Sequence, residues 1–293
     1  RQIAFVADRR GIEAVALNRQ NLAGSIPLGK FVLPDVVDLE LDCDPLQGYG
    51  QILYASEGGR GIHVFDVSDP RAFNRLAFIE TISPRGMAKA GDYLFIADGI
   101  GGLRVVDISD PAAPKAVGQL PLFDAQEVEV RWPYAYVADG IGGMAIVDIR
   151  EPIRPRLVSG VSWKVAAGET MSAIDLDLLF QYSRPQVLRG DVPAPYRSDA
   201  RNLCAVVDEN VGLILIDVTE PSHPEVVYPS TSRRTRAAQR PGGLFRGLAL
   251  RSKVDPAPPQ GGKPASETDY VYLLEERTQG NGDQVSFMRS IDV

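Results

Sequence analysis

Carboxylates recur along this chain at a fixed spacing. Glu57, Asp98 and Asp139 stand 41 residues apart, each at the head of a Gly-rich turn, and Asp208 continues the series 69 residues further on. Asp8 and Glu275 hold the same place in two more divergent copies. A second series comprises Asp66, Asp107, Asp148, Asp217 and Asp292. Acids gathered at one place can ligate a cation or work as general acid and base. No metal or cofactor is expected; were an ion held, Asp98, Asp139 and Asp208 would be the candidates and Ca²⁺ the ion. The competing reading is that each acid caps its own hairpin by accepting backbone N–H groups, and its repetition in every copy favours that structural role. In the second series Asp107 shares the parity of Leu103 and Val105, so it is expected to point into a buried interface and to accept N–H groups from the turn that follows. A catalytic role is disfavoured there, because an active site breaks repeat symmetry.

Other reactive residues are few. Two histidines and two cysteines do not make a zinc site or a disulfide framework. His63 and His223 have no partner at a spacing that suggests a triad. Cys204 reads as a small buried apolar residue and Cys43 as a loop residue. No bridge between them is expected, since their copies are three apart. Arg189-Gly190-Asp191 spells an adhesion tripeptide that also reads as a plain Gly turn. The segment from Ser230 to Arg246 concentrates Arg233, Arg234, Arg236, Arg240 and Arg246. Guanidinium groups in such number could grip an anionic partner, and a merely solvated loop is the alternative. Tyr182, Arg184, Tyr196 and Arg197 lie in an insertion from Gln181 to Asn202 and are residue types favoured at interfaces. Two further insertions run from Val254 to Thr268 and from Asp42 to Gly50.

The elements that position these residues are repeated strands. YLFIADGIGGLRVVDISDP, from Tyr93, and YAYVADGIGGMAIVDIREP, from Tyr134, are copies of one unit. Related copies begin near Ile3, Leu53, Leu203 and Tyr270. Aromatic and β-branched runs predict strands, the DGIGG segments predict hairpins, and the Asp/Glu-Pro-x-x-Pro pattern stops a strand and begins a turn. Four short strands in about 40 residues is the pattern of a β-propeller blade. Apolar residues on both parities of LRVVDI predict strands buried on two faces. The predicted fold is all-β, a β-propeller of four-stranded blades with about six blades represented. It forms one domain over 1–293, with units at about 1–35, 36–83, 84–123, 124–162, 163–230 and 231–293. With strands A to D running outward from the axis, the D–A and B–C loops share one face and the A–B and C–D loops share the other.

The 28 glycines and 22 prolines fit a fold made of turns. A net charge of −7 argues against non-specific nucleic-acid binding. No apolar run is long enough to span a membrane. The chain begins at Arg1 without a Met or a leader pattern. It is therefore expected to be a processed chain or part of a longer one, and it stops inside its last unit. Either terminal strands combine into one blade or further blades follow.

The segments IHVFD, LRVVD, MAIVD and LILID, each preceded by Gly and followed by an acid-Pro turn, resemble the LVIVD repeat family. The resemblance implies a β-propeller, mostly of cell-surface or exported proteins, without shared catalytic residues. It implies a non-catalytic extracellular scaffold that meets a protein or polysaccharide partner through its insertion loops, as a module of a larger assembly. The alternative is a propeller hydrolase or lyase with a metal at the channel mouth.

Overall fold

A computed structural model of the chain describes all residues except 1, 9, 19–23, 45–48, 164, 166–169, 181–201, 229–243, 254–267, 279–283 and 293. Within strands, the side chains at 2, 8, 43–44, 49–51, 179–180, 228, 244–253, 268–278 and 284–292 are likewise not described.

The β-branched and aromatic runs form strands that pair antiparallel with their chain neighbours within each sheet, because short turns return the backbone on itself. The first sheet holds β1 (Gln2–Asp8), β2 (Gly11–Leu17) and β3 (Ile26–Phe31). The second holds β4 (Val36–Asp44), β5 (Tyr49–Glu57), β6 (Gly61–Asp66) and β7 (Asn74–Glu80). The third holds β8 (Gly86–Ala90), β9 (Tyr93–Ala97), β10 (Leu103–Asp107) and β11 (Lys115–Leu120). The fourth holds β12 (Glu127–Arg131), β13 (Tyr134–Ala138), β14 (Met144–Asp148) and β15 (Arg156–Val161). The fifth holds β16 (Ala173–Phe180), β17 (Asn202–Asp208), β18 (Gly212–Asp217) and β19 (Glu225–Tyr228). The last holds β20 (Leu244–Lys253), β21 (Thr268–Thr278) and β22 (Gln284–Asp292). These meanders are the blades of the all-β propeller architecture. Of the segment Asp42–Gly50, expected as an insertion loop, residues 42–44 and 49–50 are strand: Asp42 faces Ile52 and Cys43 faces Gly50 across the hairpin. Arg246, expected in a loop, lies in β20.

The chain divides into two compact units, Arg1–Gly140 with Ile146–Leu157, and Ile141–Ala145 with Val158–Val293. Within the first, the apolar cores lie between sheets. Ile12, Leu33, Leu53, Ala55 and Phe65 pack between the first and second sheets. Tyr54, Ile62, Val64, Met87, Leu94, Ile96 and Val106 pack between the second and third. Adjacent residues of one strand thus enter different cores, which is why the middle strands are apolar on both parities. The fourth strands, at the outer edge of each meander, are more exposed.

The first strands carry acids instead. Asp38, Glu40 and Asp42 alternate along β4, and two of them bond the backbone of β8 in the next sheet. Asp38 Oδ2 accepts from Met87 N at 2.8 Å and Glu40 Oε1 from Lys89 N at 3.0 Å. Lys89 Nζ meets Asp42 Oδ1 at 2.9 Å. Side-chain carboxylates therefore satisfy strand-edge donors that have no ladder partner. Close enough to feel these acids is the buried Tyr54 hydroxyl, which has no hydrogen-bond partner among the described residues. Burial, reinforced by Asp42 and Glu40, raises its pKa.

Burial also pushes the Glu40 carboxyl up to about 7, with Asp38 and Asp42 adding to the effect and the Lys89 N–H opposing it. Burial likewise raises Asp38. A carboxyl that binds its proton more tightly when folded stabilises the fold below its unfolded pKa, near 4.5. That contribution is lost as pH rises through about 7. Thermal unfolding should therefore show the protein a few degrees more stable at pH 5 than at pH 8. The Glu40→Gln variant should lose much of that difference. An equal pH dependence in the variant would remove Glu40 as its source.

Candidate functional site

The acids at the head of the hairpin turns are buried: Asp98 and Asp208 are 0% exposed and Asp139 is 3% exposed. Asp98 does not cap its own hairpin. The turn donors there are already satisfied by backbone, Gly101 N by Asp98 O and Gly102 N by Gly99 O. The carboxylate instead takes the segment between β7 and β8, which runs between sheets and has no ladder partner. Its Oδ1 accepts from Ile82 N at 2.8 Å and from Ser83 N at 2.7 Å, and Arg104 Nε reaches Oδ2 at 3.0 Å. Asp139 repeats this one copy later. It accepts from Asp124 N at 2.8 Å and from the Phe123 N–H, in the segment between β11 and β12. Burial raises its pKa, and those two backbone bonds oppose the rise. In the second compact unit, Asp208 does bond its own turn, through Asn210 N and Val211 N, both at 2.8 Å. It also takes Ser172 N at 3.0 Å and Trp163 Nε1 at 2.8 Å. The cap expected for every copy thus holds in part for Asp208, while Asp98 and Asp139 clamp the preceding crossover.

The second copy varies the theme. Glu57 Oε2 lies 3.0 Å from His63 Nε2, and Glu57 Oε1 lies 2.9 Å from Arg60 Nη1. His63 occupies the position of Arg104 in the next copy, so it does have a spaced partner, contrary to the sequence reading. The hairpin register, which sets Ala55 opposite His63, brings the pair together. His63 Nδ1 is buried without a hydrogen-bond partner among the described residues.

In the second acid series the described carboxylates, Asp66, Asp107, Asp148 and Asp217, are only partly buried, so Asp107 does not point into a buried interface as expected. Asp66 and Asp107 sit at strand ends, partly open to solvent, and each accepts from the backbone N–H and the hydroxyl of a serine two residues on. Those bonds hold both carboxyls below their ordinary range, the serine hydroxyl being the larger cause. The donors come from the following Pro turn, as anticipated. Among the described residues, no three His, Cys, Asp or Glu come together as a metal site. Cys204 is wholly buried in β17. The interface candidates Tyr182, Arg184, Tyr196, Arg197, Arg233, Arg234, Arg236 and Arg240 lie outside the described residues.

The clamps build a continuous loop layer on the first unit. Gly99 and Ala125 exchange both backbone hydrogen bonds at 2.9 Å, so the β9–β10 turn is stitched to the β11–β12 segment. Asp98 ties the same turn to Ile82–Ser83. Three large apolar side chains project from this locked backbone: Ile82 at 50% exposure, Ile100 at 75% and Phe123 at 68%. Sequence reasoning missed them. The available signal was an isoleucine at a turn tip, where polar residues or glycine are usual.

Three stretches of the chain, residues 85–120, 124–162 and 203–228, match the LVIVD repeat. A search of curated proteins gives no match. Among solved structures, one similar chain comes from the S. cerevisiae assembly of Dbp5 bound to Nup159, Gle1, IP6 and ADP. It is 10% identical, with a TM-score of 0.51 over 99% of this chain and 73% of that one. The computationally designed protein Ika8 is 8% identical, with a TM-score of 0.53 over 98% of this chain and 68% of its own. At such identity the likeness concerns the fold alone. The third and fourth sheets and strands β17 to β19 of the fifth correspond to the matched stretches, and the chain is a β-propeller-type protein with LVIVD repeats in those three stretches.

Proposed function

We propose that this protein is a non-catalytic scaffold, exported or displayed at the cell surface, that docks a protein partner on the loop layer of its first compact unit. One observation carries the reading: Ile82, Ile100 and Phe123 are exposed on loops whose backbone is fixed by Asp98, Asp139 and the Gly99–Ala125 bridge. Apolar side chains held in place before binding lose little entropy on association, which is the condition for an interface anchor. Exposed aliphatic and aromatic groups on neighbouring loops suit a protein surface better than a glycan. The buried carboxylates support the same reading, since their lone pairs are engaged by N–H donors of the chain itself. The cell-surface setting rests on the LVIVD-repeat resemblance.

Photo-crosslinking tests the docking face. A benzophenone side chain is placed at Ile100, or at Trp132, which is exposed in the hairpin on the opposite face, between β12 and β13. The expected result is a discrete protein adduct at position 100 that is absent from position 132. It should fall by about fivefold or more when Ile82→Ser and Phe123→Ser are added. Equal adducts at the two positions, or none at 100, would reject this face as the contact.

A further inference from the structure

The corner between β14 and β15 breaks the repeat symmetry. Asp148, Arg150, Glu151, Arg154 and Arg156 line a shallow cleft of about 220 Å³ there. The third copy has Ser109, Ala113 and Lys115 at the three arginine positions. The second has Ser68, Ala72 and Asn74, and the fifth Thr219, His223 and Glu225. The turn therefore does not need arginine. What it needs is a backbone N–H donor for the strand-end acid, supplied elsewhere by Ser68 and Ser109 with their hydroxyls beside it. Arg150 keeps that bond, its backbone N meeting Asp148 Oδ1 at 2.9 Å. Its side chain adds a two-point contact, Nε to Oδ1 at 3.1 Å and Nη2 to Oδ2 at 2.8 Å. Asp148 is thereby neutralised, and Arg150 is oriented with further N–H donors to spare. Arg154 and Arg156 are exposed and, among the described residues, make no ion pair; the acids beside them in the cleft are Glu151 and Asp148, which also attracts Arg156 but is held by Arg150. Beside the cleft Ile153 and Leu157 are more than half exposed.

We infer that this corner binds an acidic segment of a polypeptide, whose carboxylates take the forks of Arg154 and Arg156 while an apolar side chain rests on Ile153 or Leu157. Guanidinium groups match carboxylates in two-point geometry. An excess of positive charge on a chain of net charge −7 gives the complementarity that selects such a segment. The apolar neighbours favour a polypeptide over an acidic polysaccharide. The site is separate from the loop layer proposed above and stands or falls without it.

The test is calorimetric titration of the full chain with a capped peptide of six glutamates flanked by leucines, at low salt. The controls are the same peptide with glutamine for glutamate, and a sulfated oligosaccharide. The doubly substituted Arg154→Ala, Arg156→Asn protein carries residues that the second copy accommodates at those positions, so its fold is preserved. The acidic peptide should bind and the glutamine peptide should not, and the double substitution should weaken binding by about tenfold or more. The arginines between 233 and 246 remain in the variant, so a loss reports on this corner alone. Absent binding, or affinity unchanged in the variant, would overturn the inference. Tighter, arginine-dependent binding of the oligosaccharide would overturn the assignment to a polypeptide.

Discussion

Asp98→Ala should lower the unfolding free energy of the first compact unit by about 4 kcal/mol, the largest loss expected from any single carboxylate here. The side chain is wholly buried and accepts from Ile82 N, Ser83 N and Arg104 Nε. Truncation leaves two backbone donors and one guanidinium, itself 20% exposed, without an acceptor. Each buried donor left unmade costs about 1–3 kcal/mol, and breaking a buried charged pair costs about 3–5 kcal/mol. These terms overlap, because the loop can relax toward water once it is released. Asp98→Asn keeps the volume and one acceptor, so it should lose about half as much. Asp107→Ala is the comparison: it removes a carboxylate at a solvent-facing strand end and should change stability little. Urea unfolding followed by far-UV circular dichroism measures all three. A loss for Asp98→Ala no larger than that for Asp107→Ala would show that the clamp is dispensable.

The contrast between these acids marks where sequence reasoning stops. A spacing of 41 residues locates Asp98, Asp139 and the strands around them, because repetition amplifies a local signal that one copy would show weakly. Two-sided burial of LRVVD is legible for the same reason: Val105 and Val106 are neighbours in sequence, and both are apolar. The partner of Asp98 is not legible. Local logic assigns it the donors of its own turn, whereas Gly101 N and Gly102 N already bond backbone oxygens. The open donors belong to Ile82 and Ser83, 16 and 15 residues upstream, which only the stacking of strands brings near. The pairing of Glu57 with His63 depends in the same way on hairpin register. Exposure is harder still. Nothing in GIGG states that Ile100 faces solvent while Ile96, four residues earlier, is fully buried. The alternation DLELD in β4 did carry information, namely that one parity meets something other than an apolar core. Its partner, the backbone of β8, follows from the blade packing.

The second large effect concerns a glycine that the strand patterning leaves unexplained. Gly102 precedes β10 with φ +74°, and a Cβ there would collide with Leu120 O and stand 2.7 Å from Leu122 N. The obstacle is backbone of the outer strand and its continuation, which cannot rotate away as a side chain could. Gly143, in the next copy, has φ +81° and meets Val161 O in the same manner. Gly102→Ala carries two costs: a left-handed backbone for an L-residue, about 1 kcal/mol, and the parting of β10 from β11 at this point. Together they should amount to about 3 kcal/mol. Gly91→Ala separates the terms, since Gly91 has φ +57° with nothing within 4 Å of its Cβ position. It should cost only the conformational part, about 1 kcal/mol. Gly102 also accepts the Asp98 N–H at 2.9 Å, so forcing β10 outward disturbs the turn that carries Ile100 and meets Ala125. Hydrogen exchange at Gly99 and Ala125 should accelerate in Gly102→Ala and stay unchanged in Gly91→Ala. Equal destabilisation by the two substitutions would mean that φ alone sets the requirement and that β11 yields without cost.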